Sequence, residues 1–192
     1  MNEAITIVSG VPRSGTSLMM RMLAFGGHPV LVDSSRPADI NNPRGYYEID
    51  AVKNLEYDST WLISCQGFAC KMAYPLLYYL PPIYQYRVVL MRRNLLEVVN
   101  SQNEMLNNIG HCKDVHSNVA DIASYYSYQL EHVSTWMHAQ PNIEHLQIDY
   151  NALLSGGSIE LQRLNAFFRD TLYLEQMRKA IDPTLYRTRQ SG

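Results

Sequence analysis

The amino-acid sequence predicts an α/β protein of three layers, a mostly parallel sheet covered by helices on both faces. Three observations carry this expectation. Residues 4–23, AITIVSGVPRSGTSLMMRML, read as strand, glycine-bounded loop and helix. Residues 86–106, YRVVLM followed by RRNLLEVVNSQNEML, repeat the arrangement. Strand-like runs then continue to alternate with helical ones as far as IEHLQI at 143–148, the order expected of parallel strands joined by crossover helices. The 192 residues suit one domain, 1–192, and no repeat, low-complexity tract or linker divides them.

Taken in order, Ala4 to Ser9 is an apolar run too short for a helix, hence a buried strand. From Leu18 the residues are good helix formers, and GGHP at 26–29 stops them with glycine and proline. Val30 to Val32 reads as a short second strand. Residues 33–50, DSSRPADINNPRGYYEID, form a long polar connection of the kind that carries function. From Asp50, past Leu55 and Trp61, an irregular helix is expected. GFACKM at 67–72 reads as a strand ending in a lysine, and YPLLYYLPP at 74–82 as a turn or short helix stopped by prolines. After the strand at 86–91, Asn94 and Glu97 stand in capping-box spacing at the start of a helix. A long amphipathic helix at 116–139, the strand at 143–148 and helices near 158–170 and 173–181 complete the chain.

Composition narrows the function. Hydrophobic residues make up 46% and charged residues 18%, with a net charge of −2. That balance gives no general attraction to nucleic acid or to an anionic membrane surface, so any anion must be held by local basic sites. No segment approaches the ~20 apolar residues of a membrane span. The N-terminus lacks the basic and apolar regions of a secretory leader. Cys65, Cys70 and Cys112 are an odd number with no Cys-x-x-Cys pair, which suits free thiols in a reducing cytoplasm. His111, Cys112 and His116 have only Asp114 as a nearby carboxylate, so no metal site is expected there.

The chemistry concentrates at the first loop. GVPRSGTS at 10–17 fits the spacing G-x-x-x-x-G-K-[ST] at Gly10, Gly15 and Ser17, with Thr16 where the lysine would stand and a cation at Arg13 instead. Such a loop aims backbone N–H groups and the positive end of a helix at one anion. Arg13, Lys71 and Arg93 each fall at or just after an expected strand end, where ligands of parallel sheets bind.

PRSGTS after a buried strand resembles the 5′-phosphosulfate loop of the sulfotransferases, which use 3′-phosphoadenosine-5′-phosphosulfate (PAPS) and release 3′-phosphoadenosine-5′-phosphate (PAP). The resemblance implies the sulfotransferase variant of the P-loop nucleoside-triphosphate-hydrolase-like fold. It also implies that Arg13, Ser14, Gly15, Thr16 and Ser17 hold the 5′-phosphosulfate. In that family an arginine ending a strand and a serine eight residues later hold the 3′-phosphate, a spacing matched by Arg93 and Ser101; Arg92 with Asn100 fits less well. Lys71 and Pro75 resemble the lysine and proline of a third motif, which implies that Lys71 assists the leaving oxygen. The histidine of that motif, the family's usual base, is Ala73 here.

Other branches take a carboxylate base from the segment after the first helix. Here that implies Glu48, with Tyr46 and Tyr47 expected to wall its pocket and desolvate it, or Asp33. The tryptophan that stacks on adenine is replaced by Leu18, leaving Trp61 or a tyrosine as candidates. HLQIDYNALL followed by LQRLNAFF resembles the strand–YEDL–helix ending of the superfamily, and Arg187 and Arg189 lie in the tail. The likeness is nearest to small bacterial members with an NPRGYYE segment.

The implied activity is sulfuryl transfer to a hydroxyl or amine of a small-molecule or glycan acceptor, with PAPS as cosubstrate, no metal, no nucleic acid or membrane partner, and homodimer formation left open. Two other readings stay in view. One is a P-loop small-molecule kinase, for which Asp149 is the sole magnesium candidate; the other is a catalytically silent nucleotide-binding regulatory module.

Overall fold

Ile5–Gly10 forms β1, with all six residues buried. It lies inside a four-stranded sheet with β2 (Ala69–Ala73), β3 (Tyr86–Arg92) and β4 (Ile143–Asp149), in the order β2-β1-β3-β4 and with every neighbouring pair parallel. The structure, a computed structural model, describes residues 3–33, 38–39, 41–108, 110 and 118–181. The helices are α1 (Thr16–Phe25), α2 (Leu95–Asn108), α3 (Val119–His138), α4 (Tyr150–Leu154), α5 (Ser158–Phe167) and α6 (Leu174–Lys179).

The pleat sorts the strand residues into two cores. Ile5, Ile7, Val88 and Leu90 join Leu130, Val133 and Met137 of α3 on one face. Val8, Val89 and Met91 join Met19, Met20 and Leu23 of α1, Leu161 and Leu164 of α5, and Met177 of α6 on the other. Because β1 and β3 are covered on both faces, they read as continuous apolar runs rather than as alternating ones. The architecture is the expected three-layer α/β/α.

Several local expectations change. The strand at Val30–Val32 shrinks to one bridge, Val30 beside Ala69, with the Leu31 N–H donating to Ala69 O at 2.8 Å. The chain leaves the sheet edge at the exposed Val32 and Asp33. β2 runs on to Ala73, so Lys71 stands within the strand, level with Val8, and projects on the α1 face. The irregular helix after Asp50 is two short 3₁₀ segments, Asp50–Asn54 and Thr60–Cys65, and Tyr74–Tyr79 is a third.

α4 was not expected. It exists because Asp149 caps it, accepting the Ala152 N–H at 2.9 Å. The long helix is described from Val119, with the Asn118 side chain as its cap. The first residues of the 116–139 expectation lie outside the described residues, as do His111, Cys112, Asp114, His116, Arg187 and Arg189. Cys65 and Cys70 are buried free thiols. Among the described residues no helix is long and apolar enough to cross a membrane.

Candidate functional site

β1 delivers the chain to the loop at Gly10, and the backbone there admits little else. A Cβ on Gly10 would lie 2.5 Å from Ser14 Oγ and 3.0 Å from Met91 O. At Gly15, φ is 96° and a Cβ would lie 2.3 Å from the Tyr150 ring, so glycine is required both by conformation and by contact. Arg13 takes a left-handed φ of 77°, uncommon for a side-chain-bearing residue. α1 begins at Thr16, so its first N–H groups, which have no partner inside the helix, open onto the loop. The Ser14 hydroxyl is buried without a hydrogen-bond partner among the described residues.

Three of the cations at this cavity, Arg93, Arg13 and Lys71, are each held differently. Arg93 is the most enclosed, with 7% of its side chain exposed against 4% for its ion-pair partner Glu97, Nε to Oε2 at 3.1 Å. Its guanidinium lies 4.6 Å from the Tyr150 ring centroid, and Nη1 donates to Arg13 O at 2.9 Å. Arg93 thereby supports the left-handed turn of the loop. Arg13 reaches across to α2, where Nε donates to Ser101 Oγ at 3.0 Å. The serine that sequence spacing pairs with Arg93 is therefore bonded to Arg13. Burial lowers the Arg13 pKa from its ordinary value; Tyr46 opposes the shift and Arg93 adds to it. Lys71 extends from β2 to the loop, with Nζ 3.2 Å from Ser17 Oγ, 2.9 Å from Glu48 Oε1 and bonded to Tyr46 O.

Arg13, Gly15, Thr16, Ser17, Lys71 and Arg93 line one cavity of about 250 Å³, together with Glu48 and Ser101. It lies at the carboxyl ends of β1, β2 and β3. The arrangement concentrates positive charge and backbone N–H groups around a volume lined also by two carboxylates, Glu48 beside the amine of Lys71 and Glu104 on α2. It can bind a polyanion and take a proton from a group placed next to Glu48. Asp33 stands apart, exposed and outside the cavity lining, with Oδ2 accepting the Asp50 N–H at 2.6 Å. Leu18 lines the cavity, whereas Trp61 does not and donates Nε1 to Asp58 O at 3.0 Å.

Sequence reasoning missed Asn41, Asn42, Tyr150 and Asn151. Asn151 Nδ2 donates to Glu97 Oε2 at 3.2 Å, and its Oδ1 accepts the Asn94 N–H at 3.0 Å, tying β4's exit to the start of α2. For Tyr150 and Asn151 the available signal was their place directly after β4, where a parallel sheet presents its ligands. Among the described residues no group of three or more histidines, cysteines or carboxylates has metal-binding proximity.

No family model matches the sequence, and no curated protein matches it. Among solved structures the chain is similar to the sulfotransferase domain from the curacin biosynthetic pathway, at 16% identity over 99% of this chain and 79% of that one, with a TM-score of 0.49.

Proposed function

We propose that the protein is a PAPS-dependent sulfotransferase. The reading rests chiefly on one observation: Arg13, Lys71, Arg93 and Ser101, from two loops, a strand and a helix, meet at one cavity beside a phosphate-type loop. The donor set fits the cosubstrate. The loop N–H groups with Arg13, Ser14, Gly15, Thr16 and Ser17 would hold the 5′-phosphosulfate. Arg93 and Ser101 would hold the 3′-phosphate, with Arg13 between the two subsites. When bound, PAPS supplies a sulfuryl group carried on a phosphate leaving group.

Lys71 places its positive charge where negative charge grows on the leaving oxygen. Glu48 takes the proton of the acceptor hydroxyl or amine, and its contact with the Lys71 amine holds its carboxylate at the cavity. Asp33 remains the rival base. The acceptor is a small molecule or glycan, the setting is cytoplasmic, and the charge is supplied by Lys71 and the arginines without a metal.

A melting experiment with PAP, ADP and Mg-ATP tests the reading. PAP carries the 3′-phosphate that Arg93 and Ser101 would contact and lacks the β-phosphate. At 100-fold excess over its dissociation constant it should stabilise the fold by about 2.7 kcal/mol. For a domain of this size that is a rise of roughly 5–11 °C. A larger shift with Mg-ATP would favour the kinase reading. One observation supports that second reading: Lys71 brings an amine to Ser17 that the loop itself lacks at Thr16. Against it, Asp149, the sole magnesium candidate, is engaged as the cap of α4. PAP binding without turnover would favour the silent regulatory module.

A further inference from the structure

The segment that carries Glu48 also lies across the phosphate-type loop. Arg13 Nη2 donates to Asn41 O at 3.0 Å. Ser17 Oγ donates to Tyr46 O at 3.1 Å, and Lys71 Nζ donates to the same oxygen. Asn42 Nδ2 donates to Ser17 Oγ at 3.1 Å. On the far side of the cavity, Asn108 Nδ2 of α2 donates to Asn41 Oδ1 at 2.8 Å. The segment is also closed on itself. The Tyr46 hydroxyl donates to both oxygens of Asp39, at 2.8 and 2.9 Å, and Asp39 Oδ1 accepts the N–H groups of Asn41 and Asn42 at 2.8 and 2.9 Å.

Arg13, Ser17 and Lys71, three of the donors that line the cavity, thus each hold a peptide oxygen of this one segment. A peptide oxygen carries only partial negative charge. A phosphate or sulfonate oxygen carries more, and charge-assisted bonds are roughly twice as strong. An anion can therefore replace the carbonyls, but it has to displace them first.

We propose that residues 41–48 form a strap that plugs the anion site with its own carbonyls and is displaced by the arriving anion, with the Tyr46–Asp39 bond as its latch. The proposal rests on the reading of the loop as an anion site, not on which nucleotide it takes. While the strap is seated the site is not competent, so apparent affinity is reduced by the fraction of molecules in the open state. Weakening the latch raises that fraction without touching a donor.

The test uses the full chain and inorganic pyrophosphate as the probe. Tyr46→Phe keeps the ring and every charge while removing the hydroxyl. A hydrogen bond to a charged group is strong enough that its loss should tighten pyrophosphate binding by about tenfold, read by calorimetry. Asn108→Ala, also neutral, removes the tether to Asn41 and should act in the same direction if Tyr46→Phe does not fold. In the wild type, pyrophosphate should speed tryptic cleavage after Arg44, which lies in the strap. Unchanged or weaker binding in the folded variant, or protection of Arg44 by pyrophosphate, overturns the proposal. Pyrophosphate carries no adenosine, so the outcome separates from the sulfotransferase reading. A protein that prefers Mg-ATP to PAP can still have the strap, and a protein that prefers PAP can still fail this test.

Discussion

Lys71 joins three parts of the candidate site: its Nζ meets the Ser17 hydroxyl, a strap carbonyl and a carboxylate. Only 10% of the side chain is exposed, so its charge acts where water screens it poorly. Under the proposed reaction, Lys71→Ala should slow sulfate transfer by about 10²–10³, the usual cost of removing one such donor, while PAP affinity falls much less. The measurement is transfer from labelled PAPS to a panel of hydroxyl and amine acceptors, with PAP binding followed in parallel; equal losses in both would make Lys71 a binding residue only. The same panel decides between the two carboxylates. Glu48→Gln should abolish transfer with PAP affinity near wild type. Asp33→Asn should leave transfer intact, because Asp33 lies outside the cavity and accepts a backbone N–H instead. Full activity in Glu48→Gln would remove the carboxylate base from the mechanism. Asp33 and Glu48 were equally legible as acids in one loop of sequence. What separates them is where that loop turns, and no local pattern encodes it.

Among the elements, β1, β3 and their following helices were legible because burial on both faces writes a strand as an unbroken apolar run, and because glycine is required at Gly15. The start of α2 was only half legible. Asn94 caps the helix as its spacing suggests, accepting the N–H groups of Leu96 and Glu97 at 3.0 and 3.3 Å. Glu97 does not complete the capping box. Its carboxylate turns to Arg93 and Asn151, and Asn151 takes the Asn94 N–H instead. Residues 94 and 151 are far apart in the chain, so no sequence window contains the reason. The swap makes the helix start part of the site: Glu97 holds Arg93, and Arg93 holds the carbonyl of Arg13. Glu97→Ala removes the carboxylate paired with the buried Arg93 guanidinium, a change that typically costs about 3–5 kcal/mol. For a domain of this size the midpoint should fall by roughly 6–20 °C. Glu97→Gln, which keeps an acceptor for Arg93 Nε, should cost clearly less. A thermal melt checks both, and a fall of under about 2 °C in Glu97→Ala would mean that the pair does not hold the turn.

At the scale of the whole molecule, the end of the sheet opposite the site carries a titratable group that ties stability to pH. His28 follows α1 and packs edge-on against Phe168, ring centroids 5.0 Å apart, in the core that α1 shares with α5. Burial lowers its pKa to about 4, and the positive charge of Arg87, stacked 5.1 Å from the same phenyl ring, adds to the shift. The folded protein therefore keeps this imidazole neutral, while the unfolded chain binds a proton near the ordinary pKa of about 6.5. Between those values the unfolded state binds more protons, so stability rises with pH. This contribution is fully present above about pH 6.5 and is lost as pH falls through the window to about 4. The ring is not fully enclosed, so the slope should stay below the limit of about 1.4 kcal/mol per pH unit for one proton. His28→Leu keeps an apolar contact with Phe168 and cannot titrate. Carboxylates common to both proteins cancel when the two melts are compared. The melting temperature of the variant relative to wild type should therefore climb as pH is lowered from 7 to 4 and level off below that. Curves that stay parallel across the whole range would show that His28 is not held neutral in the fold.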